Sequence, residues 1–567
     1  MTEEQNARAE LKERFFDFLE TMEGKEATLQ LYERNTLSVK FLAMQANGNH
    51  YIVENLKTPT GVMGHAVMET YFERVLEECG YLADMYMLDF FVEKSWEKLP
   101  KSWRVFYEGQ LKKTKDRKEV VDLVRWILRR PDERNNDEVK FLPSEPEPLS
   151  MISLRNVVHN VCLKQWEPIR KPSDVFSLIR LKKDDSKLDS DGSFTNLKTL
   201  LPPSLRLKIK NKKEHEITRI ADVVKILLEN VHFEIDEIVD IGAGIGHLSR
   251  ILSLLLPNKP VSTIEGDANL VDKASRIDDK ISKSKKYLNK KDENKQEFMP
   301  LERKVLFISN ECEIGCSEGK NLFLTGLHTC GDFAATIVRH FASNPDAKIL
   351  LHFGCCYHKL NGGKDKIYKD IYEDSNKYQE ISQGFPMSKL FKNLKLSYAA
   401  REIACFGHEQ FIQKLSESMD KKVMFVNSYR AVFEWIILDC PESPDAVTEV
   451  SYRHRGLRGF RGAESMDFWK YANEAVRDQP DMKKRFEKIL EERPYLKEKV
   501  KHIIETESFK VLILYTFRLL VAPVIEALIL RDRQQFLKEQ GITKVFLFPL
   551  FDPMLSPRNV ALIAWRT

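Results

Sequence analysis

Val239-Asp240-Ile241-Gly242-Ala243-Gly244-Ile245-Gly246-His247-Leu248 is the stretch that decides the fold of this chain. An apolar run, Glu237–Ile241, enters three glycines spaced two apart, and an apolar helical pattern (Leu248, Ile251, Leu252, Leu254) leaves them. Strand, glycine turn and helix together bring free backbone N–H groups and the positive end of a helix dipole up to a ligand. The next strand end supplies an acid, Glu265, nineteen positions past Gly246. A carboxylate there can accept both hydroxyls of a ribose, so turn and acid predict a nucleoside-cofactor site. A purely structural turn is the plainer alternative.

Outward from that stretch, short apolar runs alternate with helical patterns, the mark of a parallel α/β sheet. The runs are Glu237–Ile241, Val261–Ile264, Val305–Ile308, Asn321–Leu324 and Ile349–Phe353. Val545–Leu550 and Asn559–Trp565 follow a long apolar helix and read as an antiparallel pair across the loop 551–558. Asn269–Lys304 holds eleven Lys/Arg and seven Asp/Glu and reads as a solvated insertion. The first 200 residues read as helical, over Glu10–Met22, Val62–Val92, Glu119–Arg129 and Met151–Trp166. A Pro-rich break lies at 142–149, and Lys182–Asn196 reads as a mobile loop. The expected architecture is a helical N-terminal domain (1–204), a doubly wound seven-stranded α/β domain (205–439), a helical insertion (440–509), and the last helix and strand pair of the α/β domain (510–567).

Composition narrows the class. The 567 residues are 43% hydrophobic and 31% charged, enough for several globular units. With 89 Lys+Arg against 85 Asp+Glu, a net charge of +4 predicts no strongly basic coat. Nine cysteines in this length are no secreted disulfide framework. The polar, acidic start Met1-Thr2-Glu3-Glu4 is no signal peptide, so a cytoplasmic or nuclear, non-secreted protein is expected. Val511–Leu530 is apolar but contains Arg518, Pro523 and Glu526, so it reads as a buried helix and no membrane span is expected.

The turn is Gly-x-Gly-x-Gly with Asp240 two residues ahead, not the Gly-x-Gly-x-x-Gly of dinucleotide enzymes. It resembles the first motif of S-adenosylmethionine-dependent methyltransferases. There the acidic residue and the turn handle the amino-acid part of the cofactor. The resemblance implies S-adenosyl-L-methionine as cofactor, bound by Asp240, Gly242, Gly244, Gly246 and Glu265. For Asp240 the alternative is a strand-end carboxylate that caps the turn.

A second group of residues follows the fourth and fifth strands: Thr325-Gly326-Leu327-His328-Thr329-Cys330-Gly331-Asp332 and Gly354-Cys355-Cys356-Tyr357-His358-Lys359. Ligands of doubly wound sheets bind beyond the carboxyl ends of the strands, so these His and Cys residues are expected to converge there. The reading adopted is a metal-free cleft, with His328 first and His358 second as catalytic candidates. Zinc on Cys330, Cys355 and His358 is the alternative. Against it, adjacent Cys355 and Cys356 on a strand point to opposite faces.

Leu327–Asp332, Cys355–Leu360, Gly384-Phe385-Pro386-Met387-Ser388 and Leu550–Asn559 (Leu-Phe-Asp-Pro-Met-Leu-Ser-Pro-Arg-Asn) resemble the methyltransferase-like protein 25 family. That family includes a relative labelled a ribosomal RNA adenine dimethylase domain protein. The likeness runs over roughly 140–567, and Arg518–Arg533 also fits it. The family's Lys-Lys-x-His-Glu segment is here Lys212–Glu216, although the Gly-Met-Ser-Pro expected before it reads Lys208-Ile209-Lys210-Asn211. The resemblance implies Lys213, His215 and His328 as further cofactor-pocket residues. Base-amine methyltransferases carry an Asn/Asp-Pro-Pro-Tyr/Phe loop after the fourth strand, and residues 326–332 lack it. The Cys-Gly and Cys-Cys-x-His pattern is similar to a tRNA 2′-hydroxyl methyltransferase family, a fold-level pointer to RNA. Tyr452–Arg461 interleaves Arg453, Arg455, Arg458 and Arg461 with aromatic residues and is the expected RNA contact. The expected activity is methyl transfer from S-adenosylmethionine. A catalytically inactive cofactor-binding scaffold and a nicotinamide-linked oxidoreductase are the competing readings.

Overall fold

The computed structural model describes residues 21–22, 24–30, 36–44, 51–58, 61–63, 66–114, 116–129, 141, 143, 145–162, 171–172, 174–175, 194–200, 209–289, 301–309, 319–363, 384–417, 422–438 and 462–566. The arginine run Tyr452–Arg461 lies outside them, as do nearly all of the expected helix Glu10–Met22 and loop Lys182–Asn196. The chain divides into two units, Met1–Val161 with Lys414–Val521, and Cys162–Gln413 with Ala522–Thr567.

The first unit carries three of the expected helices, at Ala66–Asp84, Arg117–Leu128 and Leu149–Val161, and a further one at Lys101–Lys113 that the sequence reading did not single out. It also carries four antiparallel strands in sequence order, Glu26–Gln30, Thr36–Met44, Tyr51–Thr58 and Gly61–Met63. The expected N-terminal helices are thus joined by a small sheet that the helical reading did not include. Thr36-Leu37-Ser38-Val39-Lys40-Phe41 alternates polar and apolar with period two and is β-branched at Thr36 and Val39, which suits a strand better than a helix. Later helices of this unit, Val426–Ile437, Phe468–Ala475 and Pro480–Glu492, pack Val432, Phe433, Ile436, Phe468, Tyr471, Phe486 and Ile489 into one core.

In the second unit seven strands form one sheet: β1 (Glu237–Ile241), β2 (Val261–Glu265), β3 (Glu302–Val305), β4 (Leu322–Cys330), β5 (Ala347–Cys355), β6 (Lys544–Pro549) and β7 (Val560–Trp565). Their spatial order is β3-β2-β1-β4-β5-β7-β6. Neighbours are parallel except β7, which runs antiparallel to both β5 and β6. This is the doubly wound class I methyltransferase fold, as expected. The order of the strands reverses between β1 and β4, and the crevice beyond those strand ends is where such sheets bind ligands.

Helices α1 (Asn211–Asn230), α2 (His247–Leu255), α3 (Ala268–Asn289), α4 (Asp332–Ser343) and α5 (Leu496–Glu539) complete the frame. Ile217, Ile220, Val224 and Leu227 of α1 recur at helical spacing and join Leu248, Ile251, Leu252, Ile238, Phe323, Ile349 and Ile563 in the main core. Full burial of each such side chain stabilises by about 1.5–3 kcal/mol. The third strand ends where an apolar-run reading would start it. As an edge strand it is Glu-Arg-Lys-Val, with Glu302 and Val305 exposed. Among the described residues α5 alone is long and apolar enough to cross a membrane, and its apolar window is mostly buried in the protein. Two of its buried charges are bonded internally: Arg518 Nη2 donates to the Ala83 carbonyl (3.2 Å), and Glu526 accepts from Tyr357 Oη (3.1 Å).

Candidate functional site

The glycine turn is built by backbone conformation. Gly242, Gly244 and Gly246 all sit at positive φ (71°, 58° and 69°), which side-chain-bearing residues adopt at a cost. A Cβ placed on Gly244 would meet nothing within 4 Å, so the turn is open above it. A Cβ on Gly246 would fall 2.4 Å from Arg303 Nη1. Behind the turn, buried Asp278 accepts from Arg250 Nε (2.6 Å) and Arg303 Nε (2.7 Å), while Arg250 Nη2 donates to the Ile245 carbonyl (3.0 Å). The back of the turn is thus clamped and its front left open.

Glu265 stands at the end of β2 as expected. Its Oε2 accepts from the Gly244 N–H (2.8 Å) and its Oε1 from the Asp267 N–H (3.0 Å). Each carboxylate oxygen keeps a further lone pair for a hydroxyl. Beside it the Phe307 side chain is 55% exposed and lies next to Gly266, an aromatic face the sequence reading missed. Asp240 is placed differently. It is buried, and its Oδ2 accepts from Ser249 N–H (3.2 Å). The N-cap position of α2 is Gly246, which has no side chain, so Asp240 caps the helix from the strand below. Burial pushes its carboxyl up to about 6.

Lys212–Glu216 opens α1, and its residues part company. The Lys213 charge acts on Asp240, on the side of the glycine turn. His215 Nε2 accepts from the Asp552 N–H (2.9 Å). Burial and the neighbouring Arg219 guanidinium lower its pKa to about 4, so it is a neutral tether for the 551–558 loop. Glu216, which the sequence reading passed over, is buried and faces the ends of both β4 and β7. Its Oε2 lies 3.0 Å from His328 Nε2 and its Oε1 accepts from Ser556 Oγ (2.7 Å). Burial pushes the Glu216 carboxyl up, but hydrogen bonds from His328 and Ser556 and the Lys212 charge outweigh it and leave it below its ordinary value.

His328 is in the left-handed region (φ 63°) at a break in the β4–β5 register. That break turns the imidazole, about one-third exposed, toward Glu216. Thr329 turns the other way, onto buried His352, whose pKa burial and Arg533 lower to about 3. His358, the second catalytic candidate, is drawn elsewhere: its Nδ1 lies 3.5 Å from Cys405 Sγ and its ring meets Tyr398 edge-on.

The three thiols do converge. Cys330 Sγ lies 3.2 Å from Cys355 Sγ and 3.1 Å from Cys356 Sγ, and the last two are 3.6 Å apart. Strand alternation would have separated Cys355 from Cys356. The strand ends at Cys355, however, and Cys356 adopts φ 35°, which swings its sulfur back beside its neighbour's. Hydrogen bonds from Cys330 and Cys355 pull the Cys356 thiol down, and hydrogen bonds to Cys330 and Cys356 push that of Cys355 up. The shared motif at 384–388 is scaffolding around this end. Asn361 Oδ1 accepts from Gly384 and Phe385 N–H, and Asp532 accepts from Met387 N–H and from Ser388 N–H and Oγ.

A family model described as a methyltransferase domain matches residues 212–363, which contain the turn, Glu265, Glu216, His328 and the three thiols. The chain is 30% identical over 300 residues to human "probable methyltransferase-like protein 25", covering 52% of this chain and 44% of that one. It is also 30% identical over 250 residues to the mouse protein of the same name, covering 44% and 38%. Over that stretch it is similar to methyltransferase-like protein 25. The match spans less than half the length of either relative. A second family model, Gem-associated protein 7, matches residues 3–70, which include the four N-terminal strands. A crystal structure of coclaurine N-methyltransferase bound to N-methylheliamine and SAH is similar at 14% identity, over 44% of this chain and 63% of that one, with a TM-score of 0.18. The fold rests on the strand order itself.

Proposed function

We propose that this chain is an S-adenosyl-L-methionine-dependent methyltransferase whose acceptor is a hydroxyl group, with RNA ribose the first candidate. The residues fit the cofactor: the turn is open above Gly244, and Glu265 at the neighbouring strand end has lone pairs left for ribose hydroxyls. Gly242, Gly244, Gly246, Glu265 and Lys213 would hold it. Asp240 would act through the α2 cap and not by contact. The cofactor supplies an electrophilic methyl group when bound.

The observation that carries the acceptor class is the pair His328–Glu216 at the end of β4. A buried carboxylate that takes Nε2–H leaves Nδ1 as the basic nitrogen, the arrangement of a general base that removes a proton from a hydroxyl. Amines need no such base, and residues 326–332 lack the Pro-Pro-aromatic loop of base-amine enzymes. Arg453, Arg455, Arg458 and Arg461 remain the proposed RNA contact.

The test is a purified reaction with labelled S-adenosylmethionine offered RNA and protein in parallel. Ribose-methylated RNA is expected, lost in His328→Ala and reduced in Glu216→Gln, with cofactor affinity unchanged in both. Dimethyladenine or methylated protein as product would replace the hydroxyl reading. Cofactor binding without any product would favour a scaffold.

A further inference from the structure

Three thiols from two strands meet at one point beyond β4 and β5. Cys330 closes β4, Cys355 closes β5, and Cys356 follows in a left-handed turn. Their sulfurs form a triangle with edges of 3.1, 3.2 and 3.6 Å. Thiolates on a tetrahedral zinc ion, at about 2.3 Å from the metal, stand about 3.8 Å from one another. The triangle is one face of such a tetrahedron, closed by a few tenths of an ångström. The left-handed Cys356 is a costly backbone conformation for a side-chain-bearing residue, and it is what brings the third sulfur onto that face.

An independent observation lies behind the thiols. Arg533 is almost fully buried, and its guanidinium packs on the backbone of Gly354, so closely that a Cβ there would lie 2.2 Å from Nη1. None of its Nε, Nη1 and Nη2 atoms meets a hydrogen-bond acceptor among the described residues. Other buried arginines are paired: Arg155 makes two bonds to Glu147 (3.2 and 2.7 Å), and Arg250 bonds Asp278 (2.6 Å). A buried cation without a partner is expensive unless an anion stands nearby. The Asp532 and Asp332 carboxylates act on Arg533 through their charge without hydrogen-bonding it, and neutral thiols add no anion. Three thiolates on a divalent ion leave one net negative charge, which matches the single positive charge of Arg533.

The geometry points to a metal site: Cys330, Cys355 and Cys356 bind one soft, tetrahedral ion of the zinc class as thiolates, with Arg533 as the buried counter-charge. Three protons leave as the three metal–sulfur bonds form. No fourth His, Cys, Asp or Glu ligand atom reaches the triangle among the described residues. The fourth position is therefore open, on the side of Cys330 and Cys356, which are less buried than Cys355. Three protein ligands and one exchangeable position are the pattern of a reactive metal site. This runs against the metal-free cleft expected from sequence, and against His358 as a ligand. Metal uptake is measured without the methyl donor, so it stands or falls apart from the reading of the turn.

The experiment uses the full chain, untagged and purified without chelator. Elemental analysis is expected to find about one equivalent of zinc. Reduced, metal-stripped protein titrated with Co²⁺ should develop thiolate-to-cobalt charge-transfer and tetrahedral d–d bands that Zn²⁺ abolishes. Both should vanish in Cys330→Ala and Cys356→Ala and persist in Cys79→Ala. Should those variants fail to fold, the wild-type protein decides: added Zn²⁺ is expected to slow alkylation of Cys330 and Cys356 at least about tenfold. Wild-type protein that takes up neither metal after reduction overturns the site. So does cobalt binding that survives loss of Cys330, or alkylation that zinc leaves unchanged.

Discussion

The two ends of one crevice are made by different means. At the β1–β2 end the backbone forms the surface: three left-handed glycines, a helix N-terminus and one carboxylate at a set spacing. At the β4–β5 end side chains from distant segments form it: Glu216 of α1, His328, the three cysteines, and Arg533 of α5. A backbone-built end forces residue types, because only glycine tolerates those torsions and close approaches. A side-chain-built end leaves the types free and lets packing choose partners. The first should therefore respond to substitution through conformation and the second through charge.

The largest effect is expected at Gly246. Gly246→Ala puts a side chain at φ 69° and its Cβ against Arg303, whose guanidinium must shift within its buried pairing with Asp278, which should cost up to about 3 kcal/mol and lower the urea midpoint of the second unit. A loss of a few tenths would break the backbone account of that end.

Asp240 tests a charge inside the backbone-built end. Its folded pKa of about 6 lies above the ordinary 3.8, so the folded state keeps the proton that the unfolded state releases. Stability should fall as pH rises from about 4 to about 6, by about 3 kcal/mol from this group. Asp240→Asn keeps the cap and should flatten that slope. An identical pH profile in the variant would show that Asp240 does not carry it.

Next comes Glu265→Ala, expected to weaken S-adenosylmethionine binding by about 1.5–3 kcal/mol in calorimetry, the scale of hydrogen bonds to a charged group. Unchanged affinity in a folded variant would move the ribose contact elsewhere and blur the contrast between the two ends.

Arg533→Met sharpens the contrast with a change of sign. In metal-free protein it removes a buried cation that meets no hydrogen-bond acceptor among the described residues, with Asp532 and Asp332 acting on it only through their charge, and should raise stability by about 1–2 kcal/mol in thermal melts. In zinc-loaded protein it should weaken metal retention instead. Destabilisation in the metal-free state would mean that Arg533 already has its counter-charge without the ion.

How much was legible follows the same division. The alternation of strands and helices, the antiparallel last pair, the glycine turn and Glu265 could be read because each rests on local pattern: apolar period, glycine spacing, an acid at a strand end. Boundaries slipped where one face alone was buried, as at β3, where Glu302-Arg303-Lys304 looks like insertion and is an edge strand. The N-terminal strands were missed because short alternating segments sit among strong helical patterns. Lys213, His215 and Glu216 are neighbours in sequence, yet one acts on Asp240, one tethers the 551–558 loop and one holds His328. No spacing rule separates them, because adjacent helix residues point about 100° apart and each finds whatever lies on its side.

By itself the sequence determined the doubly wound sheet and the glycine-turn site, since backbone torsion and hydrophobic period are local and admit few residue types. Only the tertiary structure decided that Asp240 caps α2, that His328 is oriented by Glu216, and that Cys355 and Cys356 share one side. The last two depend on a register break with a partner 112 positions away and on a single left-handed residue. Such contacts arise when separate segments close on one another and a buried charge must meet its opposite.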